Sequence, residues 1–161
     1  MDIDALFQRL YPALFRYVHR MTGDADAAED IAQESFVRLL RQTLPEEEAR
    51  PWLFAVATNL LRDRARKIER RQRLLTTTPI MPASASAPDE DTERSEQIAL
   101  VRKVLARIPP RDRQLLLMRE EGFKYEEMAR ALGVASSSVG TLIARALRRF
   151  TEAYKAQEAG E

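Results

Sequence analysis

Seventeen residues in the middle of the chain constrain the fold more than any others: Thr76 to Thr92 reads TTTPIMPASASAPDEDT, in which only Ile80 and Met81 could bury a sizeable side chain. A stretch this rich in Thr, Ser, Ala and Pro cannot bury enough apolar surface to offset the entropy of ordering itself, so it reads as a flexible linker. The 161-residue chain is therefore expected to comprise two modules, residues 1–75 and 93–161. Neither carries a strand pattern: there is no alternation of β-branched residues, and no Asn-Gly or Asp-Gly dipeptide to turn a hairpin. The expected fold class is all-α, two small helical bundles on a tether.

In the first module Ile3, Leu6, Leu10, Leu14, Tyr17, Val18 and Met21 recur every three or four positions, the mark of a helix burying one stripe. Pro12 falls inside that stripe and is expected to kink or split the helix. Gly23 should end it, and Asp26 followed by Glu29 has the spacing of a capping box opening a second helix, with Ala28, Ile31, Ala32, Phe36, Leu39 and Leu40 inward. Pro45 to Arg50 should turn the chain, leaving Pro51 in the first turn of a third helix that packs Trp52, Leu53, Val56, Ala57, Leu60 and Leu61. Past Leu61 that helix changes character, as seven basic residues, from Arg62 to Arg73, crowd twelve positions.

Helical periodicity resumes after the linker with Ile98, Val101, Val104 and Leu105, and Ile108-Pro109-Pro110 separates that helix from another through Leu115, Leu116 and Met118. The sharpest motif follows. Around Gly133 stand Ala129, small enough for a second helix to cross, then Met128, Leu132 and Val134, and beyond them Val139 and Leu142, which would pin the next helix down. These offsets match a helix-turn-helix, and six of them together separate it from an ordinary helical hairpin. Ser136 to Phe150 is then the recognition helix, whose first part enters a major groove. Ser136, Ser137 and Ser138 sit where a hydroxyl can cap free N–H groups or those groups can hold a phosphate, and Arg145, Arg148 and Arg149 are candidates for phosphates or base edges. A solvated helix end favoured by the macrodipole is the plainer account of Arg148 and Arg149.

Charge alternates along the chain: −4 from Met1 to Arg50, +5 from Pro51 to Thr78, −4 from Pro79 to Glu96 and +4 from Gln97 to Glu161. Two separate basic blocks point to anionic contacts at two places. With no cysteine and a single histidine, His19, disulfide frameworks, thiol nucleophiles and the usual zinc spacings are excluded. No metal or other cofactor is expected. An acidic amino terminus and the lack of an apolar run near 20 residues argue against export and membrane insertion, and for a reducing cytoplasm. Asp24, Asp26, Glu29 and Asp30 could in principle gather around magnesium, but helix caps and first-turn charges explain them more simply, and neither a phosphate loop nor a candidate base accompanies them.

The order of the pieces resembles the extracytoplasmic-function sigma factors of bacterial RNA polymerase over nearly the whole chain: DADAAEDIAQESFVRLL, then PWLFAVATNLLRDRARK, then the linker, then IPPRDRQLLLMREEGFKYEEMARALGV and SSSVGTLIARALRRF. That resemblance implies that residues 1–75 form the family's second domain, which grips the largest-subunit clamp helices of core RNA polymerase and opens the minus-ten element. Residues 93–161 would form its fourth domain, reading the minus-thirty-five element of promoter DNA. It implies clamp contacts at Asp30, Gln33 and Glu34, minus-ten contacts at Asn59, Arg62, Arg66, Lys67 and Arg70, and duplex contacts at Ser136, Ser137, Ser138, Thr141, Arg145, Arg148 and Arg149. Members of the family are commonly held by an anti-sigma factor.

One departure stands out. Family members often carry basic residues just after the position of Val139 and two residues later, where this chain has Gly140 and Leu142. The family's minus-thirty-five preference therefore does not transfer. A simple helix-turn-helix regulator would account for residues 97–161 but would leave the acidic second helix and the basic third helix as accidents.

Overall fold

A computed structural model describes residues 2–75 and 92–160, which form seven helices and no strand. Residues 76–91 of the expected linker lie outside the described residues, while Thr92 opens a helix. The chain divides into two compact units, Met1–Ala85 and Ser86–Glu161.

The first unit is a three-helix bundle in which each helix packs on the other two. Asp2 caps α1 (Ile3–Thr22), its carboxylate accepting from the Asp4 and Ala5 N–H groups at 3.1 and 3.3 Å. Contrary to expectation, α1 runs unbroken through Pro12. The proline is exposed, so the carbonyl whose helical bond it forgoes can turn to water. Gly23 ends the helix at φ +71°, a conformation that excludes most side chains, and its N–H donates to the His19 carbonyl at 2.7 Å.

The second helix, α2 (Ala25–Leu39), is capped by Asp24 rather than Asp26: the Asp24 carboxylate accepts from the Ala27 N–H at 3.1 Å. Glu29 accepts instead from the Gln33 side chain one turn on, at 3.3 Å. The third helix, α3 (Glu46–Leu74), starts five residues before Pro51, because Pro45 supplies a preset backbone and Glu46, Glu47 and Glu48 suit the positive end of the dipole. Pro51 thus lies inside the helix, buried.

Leu6, Leu10, Leu14 and Val18 meet Ala28, Ile31, Ala32 and Leu39 of α2 and Leu53, Ala57 and Leu61 of α3 in the core. The α3 stripe is rotated from the expected one. Phe54 and Thr58 are buried, whereas Trp52, Val56 and Leu60 are half-buried, so the face that α3 turns to α1 and α2 lies one position round from the expected one. A polar tie crosses this core: the Tyr17 hydroxyl lies 2.8 Å from Thr58 Oγ1, which in turn donates to the Phe54 carbonyl at 2.7 Å. Thr58 has one proton and gives it to the carbonyl, so Tyr17 is the donor of the pair.

In the second unit α4 (Thr92–Arg107), α5 (Pro110–Glu120) and α6 (Tyr125–Leu132) each pack on α7 (Ser136–Glu158), which serves as the common spine. Val104, Leu105, Ile108, Leu115, Leu117, Met118, Phe123 and Met128 line its core. Ile98 and Val101, expected inward, are instead 39% and 38% exposed, and Leu117 takes the buried place expected of Leu116. The last helix runs well beyond Phe150, to Glu158.

Candidate nucleic-acid interface

Three surfaces carry the residues of interest. On α2 the buried positions fall on one side, leaving Asp26, Asp30, Gln33, Glu34 and Val37 on the opposite face, all exposed. Glu34 pairs with Arg38 one turn on at 3.1 Å, while Asp30 has no ion pair among the described residues. An exposed i,i+4 pair of this kind contributes only about 0.3–0.5 kcal/mol, so Glu34 can exchange Arg38 for another cation at little cost. Sequence reasoning missed Val37, which is 46% exposed and extends the same face beyond Gln33 by one turn. Its i+4 spacing from Gln33 was the available signal.

The second surface belongs to the distal half of α3. Asn59, Arg62, Arg66 and Arg70 recur at three- and four-residue steps, which places them on a single stripe opposite the core, with Lys67 on its flank. All five are exposed. The eleven steps from Asn59 to Arg70, at about 1.5 Å each, give the stripe a length of roughly 16 Å. Arg66 approaches Asp63 of the same helix at 4.0 Å, and these two side chains are largely exposed. Outside the stripe, Arg64 reaches back to the Asp24 carboxylate at 3.6 Å, bracing the arm against the start of α2.

The third surface is the helix-turn-helix, α6 and α7. Gly133 has φ +69° and its N–H donates to the Ala129 carbonyl, closing α6, while Glu127 accepts from the Lys124 N–H at 3.1 Å where α6 begins. Val139, Ile143 and Ala146 are the buried positions of α7, so Ile143 does the pinning expected of Leu142, which is half-buried. Ala135 is the N-cap residue, and no serine hydroxyl caps the helix. Ser136, Ser137 and Ser138 are therefore exposed in its first turn. Ser137, Thr141 and Arg148 share one outward stripe, with Ser138 and Arg145 beside it. Arg149 departs from the group: its Nη1 donates to both carboxylate oxygens of Asp112 on α5, at 3.0 and 3.2 Å.

Gly140 lies on the α6 side of α7, and a Cβ built there would meet only Tyr125 Cε2, at 3.6 Å, an ordinary contact distance. Its backbone is helical, so Gly140→Ala should stabilise the second unit by about 1 kcal/mol through helix propensity and lost unfolded-state freedom. Thermal unfolding should show a rise of roughly 4–8 °C for a unit of this size. A lowered midpoint would mean that the Tyr125 ring cannot accept the methyl group.

An aromatic ladder on α1 was also missed. Phe7 stacks on Tyr11 at 4.7 Å, Tyr11 on Phe15 at 6.3 Å and Phe15 on His19 at 5.7 Å, while Phe7 and Tyr11 lean on Phe36. Its i,i+4 spacing is visible in the sequence but lies beside the stronger aliphatic stripe. Burial, and secondarily the negative charge of Glu29, raise the Tyr11 phenol above its ordinary pKa of 10.0. Among the described residues no group of three or more His, Asp or Glu side chains is placed to hold a metal ion. None of the described helices is long and apolar enough to cross a membrane.

Comparison with known proteins assigns the two units separately. Residues 6–71 match the family described as Sigma-70 region 2, and residues 98–150 match Sigma-70, region 4. The ECF RNA polymerase sigma factor SigL of Mycobacterium tuberculosis is 30% identical over 151 residues, spanning 89% of this chain and 84% of that protein. SigE of Mycolicibacterium smegmatis is 28% identical over 98% of this chain and 63% of its own length. The same fold recurs in the sigma factor RpoE of Bartonella quintana, solved with the anti-sigma factor NepR, with a TM-score of 0.69, 21% identity and coverage of 96% of this chain and 97% of that one. It recurs in CnrH, solved with the cytosolic domain of CnrY, with a TM-score of 0.70, 19% identity and coverage of 96% and 88%. With both regions in order and a relative matched over most of its length, the chain belongs to the ECF sigma factors of RNA polymerase.

Proposed function

We propose that the chain binds core RNA polymerase, carries it to promoters and opens the DNA there, with the work divided among the three surfaces. The observation that carries this reading is the first bundle, which sets an acidic face on α2 and a basic stripe on α3, one suited to a basic protein surface and the other to phosphates. In this division residues 1–75 engage the largest-subunit clamp helices through Asp30, Gln33 and Glu34, and the minus-ten element through Asn59, Arg62, Arg66, Lys67 and Arg70. Residues 93–161 take the minus-thirty-five duplex on the first turns of α7, through Ser136, Ser137, Ser138, Thr141, Arg145 and Arg148. Residues 76–92 act as the tether that raises the effective concentration of each module at its own element. The chain acts in the cytoplasm by binding rather than by catalysis, and an anti-sigma factor is its proposed inhibitor, the class of partner with which RpoE was solved.

Arginines that hold phosphates position a protein without reading sequence. Replacing Arg62, Arg66 and Arg70 together with alanine should therefore weaken every promoter alike and lower the slope of log affinity against log salt by roughly 2–3, at about 0.7–0.9 per lost contact. Filter binding of holoenzyme across a salt series gives that slope. An unchanged slope would remove the stripe from the DNA interface. For the reading as a whole, the test is capture of core polymerase by the purified chain followed by sequencing of the transcripts it initiates. A simple regulator would bind duplex DNA alone and yield none.

A further inference from the structure

Asp112 is an unusual carboxylate. It is the third residue of α5, a position from which an acidic side chain ordinarily reaches back to the N–H of the N-cap residue. Here the N-cap is Pro109, which has no N–H to offer. Released from that local duty, the side chain is 6% exposed and turns across to Arg149 of α7, whose Nη1 it holds through both oxygens. The two residues lie 37 positions apart in sequence, so the contact ties two helices and is no local pairing. A carboxylate this buried has no water to fall back on, and its charge holds the guanidinium in place.

Arg149 differs in the same measure from its neighbours. Arg145 and Arg148 have no ion pair among the described residues, and Arg148 shares the outward stripe of Ser137 and Thr141. Arg149, the fourteenth residue of α7, is set apart from Arg148 by direction along the helix surface: Arg148 faces outward with Ser137 and Thr141, whereas Arg149 turns to Asp112 on α5. We infer that Asp112 is a positioning residue for promoter recognition: by holding Arg149 it fixes the recognition helix against α5, and Arg149 serves as this internal strut and makes no phosphate contact. The inference rests on the proposed reading of the minus-thirty-five duplex by α7.

The two roles open to Arg149 predict opposite signs. If Asp112 is a strut, Asp112→Asn loosens α7 and weakens duplex binding by about threefold to thirtyfold, with the salt slope unchanged because no phosphate contact is lost. Arg149→Ala should match it, and the double variant should be no worse than either single one, since one tie is broken only once. Arg148→Ala, the reference for a true phosphate contact, should flatten the slope by about 0.9. If Asp112 merely restrains an arginine bound for DNA, Asp112→Asn would tighten binding and steepen the slope by the same amount, which overturns the inference. Holoenzyme is titrated with promoter duplex at several salt concentrations, well below the thermal midpoint of each variant as measured by circular dichroism. A lower midpoint with unchanged affinity and slope would leave the pair purely structural and also overturn it. Failure of the wild-type holoenzyme to bind the duplex sequence-dependently would instead reject the underlying reading of α7, before any variant is compared.

Discussion

Asp30→Arg combined with Glu34→Arg should abolish capture of core polymerase while leaving the helical content of the chain intact. Both side chains are exposed on the outward face of α2, so their replacement disturbs no packing. Within the chain the change forfeits only the Glu34–Arg38 pair and sets like charges one turn apart, a matter of about half a kcal/mol. Across an interface the same reversal is far larger. Truncating a hot spot costs at least about 2 kcal/mol, and two inverted charges facing a basic surface add repulsion to that loss, so a weakening beyond a thousandfold is expected. The measurement is a titration of core polymerase against wild type and double variant, with circular dichroism as the folding control. Affinity within a factor of about two of wild type would show that the face is simply solvated, and would place the polymerase contact elsewhere on the chain.

Tyr17→Ala should cost the first unit about 3–5 kcal/mol, the range for deleting a large aromatic from a close-packed core. Tyr17 is wholly buried, its ring centroid lies 4.9 Å from that of Phe54, and its hydroxyl is the donor to Thr58. Tyr17→Phe isolates the hydroxyl. Because Thr58 keeps its own bond to the Phe54 carbonyl, this milder change should cost only about 1 kcal/mol. Trp52, the chain's single tryptophan, is half-buried in the same unit, so its fluorescence during urea unfolding reports on that unit's tertiary structure. An alanine variant destabilised by less than about 1 kcal/mol would show that neither ring nor hydroxyl ties α1 to α3.

Much of this architecture was legible in the amino-acid sequence because it depends on near neighbours. Apolar spacing announced the helices, Gly133 and its offsets announced the turn, and the basic run of α3 needed only a continuous helix to become a stripe. What escaped depended on context. Pro12 is a helix breaker in isolation, yet exposure lets α1 pass through it. The true cap of α2 lay two residues before the pair whose spacing looked right, since Asp24 has the extended backbone that a cap requires. Arg149 looked like its neighbours until its partner, 37 residues away in the chain, came into view. No local pattern could announce that partner, because its choice was set by how α5 lies against α7.

The dependence of α4, α5 and α6 on α7 has a temporal side. The ribosome delivers the three dependent helices before the one on which they pack. Synthesis of the 23 residues of α7, at roughly 5–20 residues per second, leaves the apolar sides of Val104, Leu115, Met118 and Met128 without their main partner for about one to five seconds. In the first bundle α1 and α2 also pack on each other, so they can cover part of their apolar surface before α3 is complete. Nascent chains should therefore offer chaperones a wider binding window in the second unit than in the first, and slow codons within α7 would lengthen it.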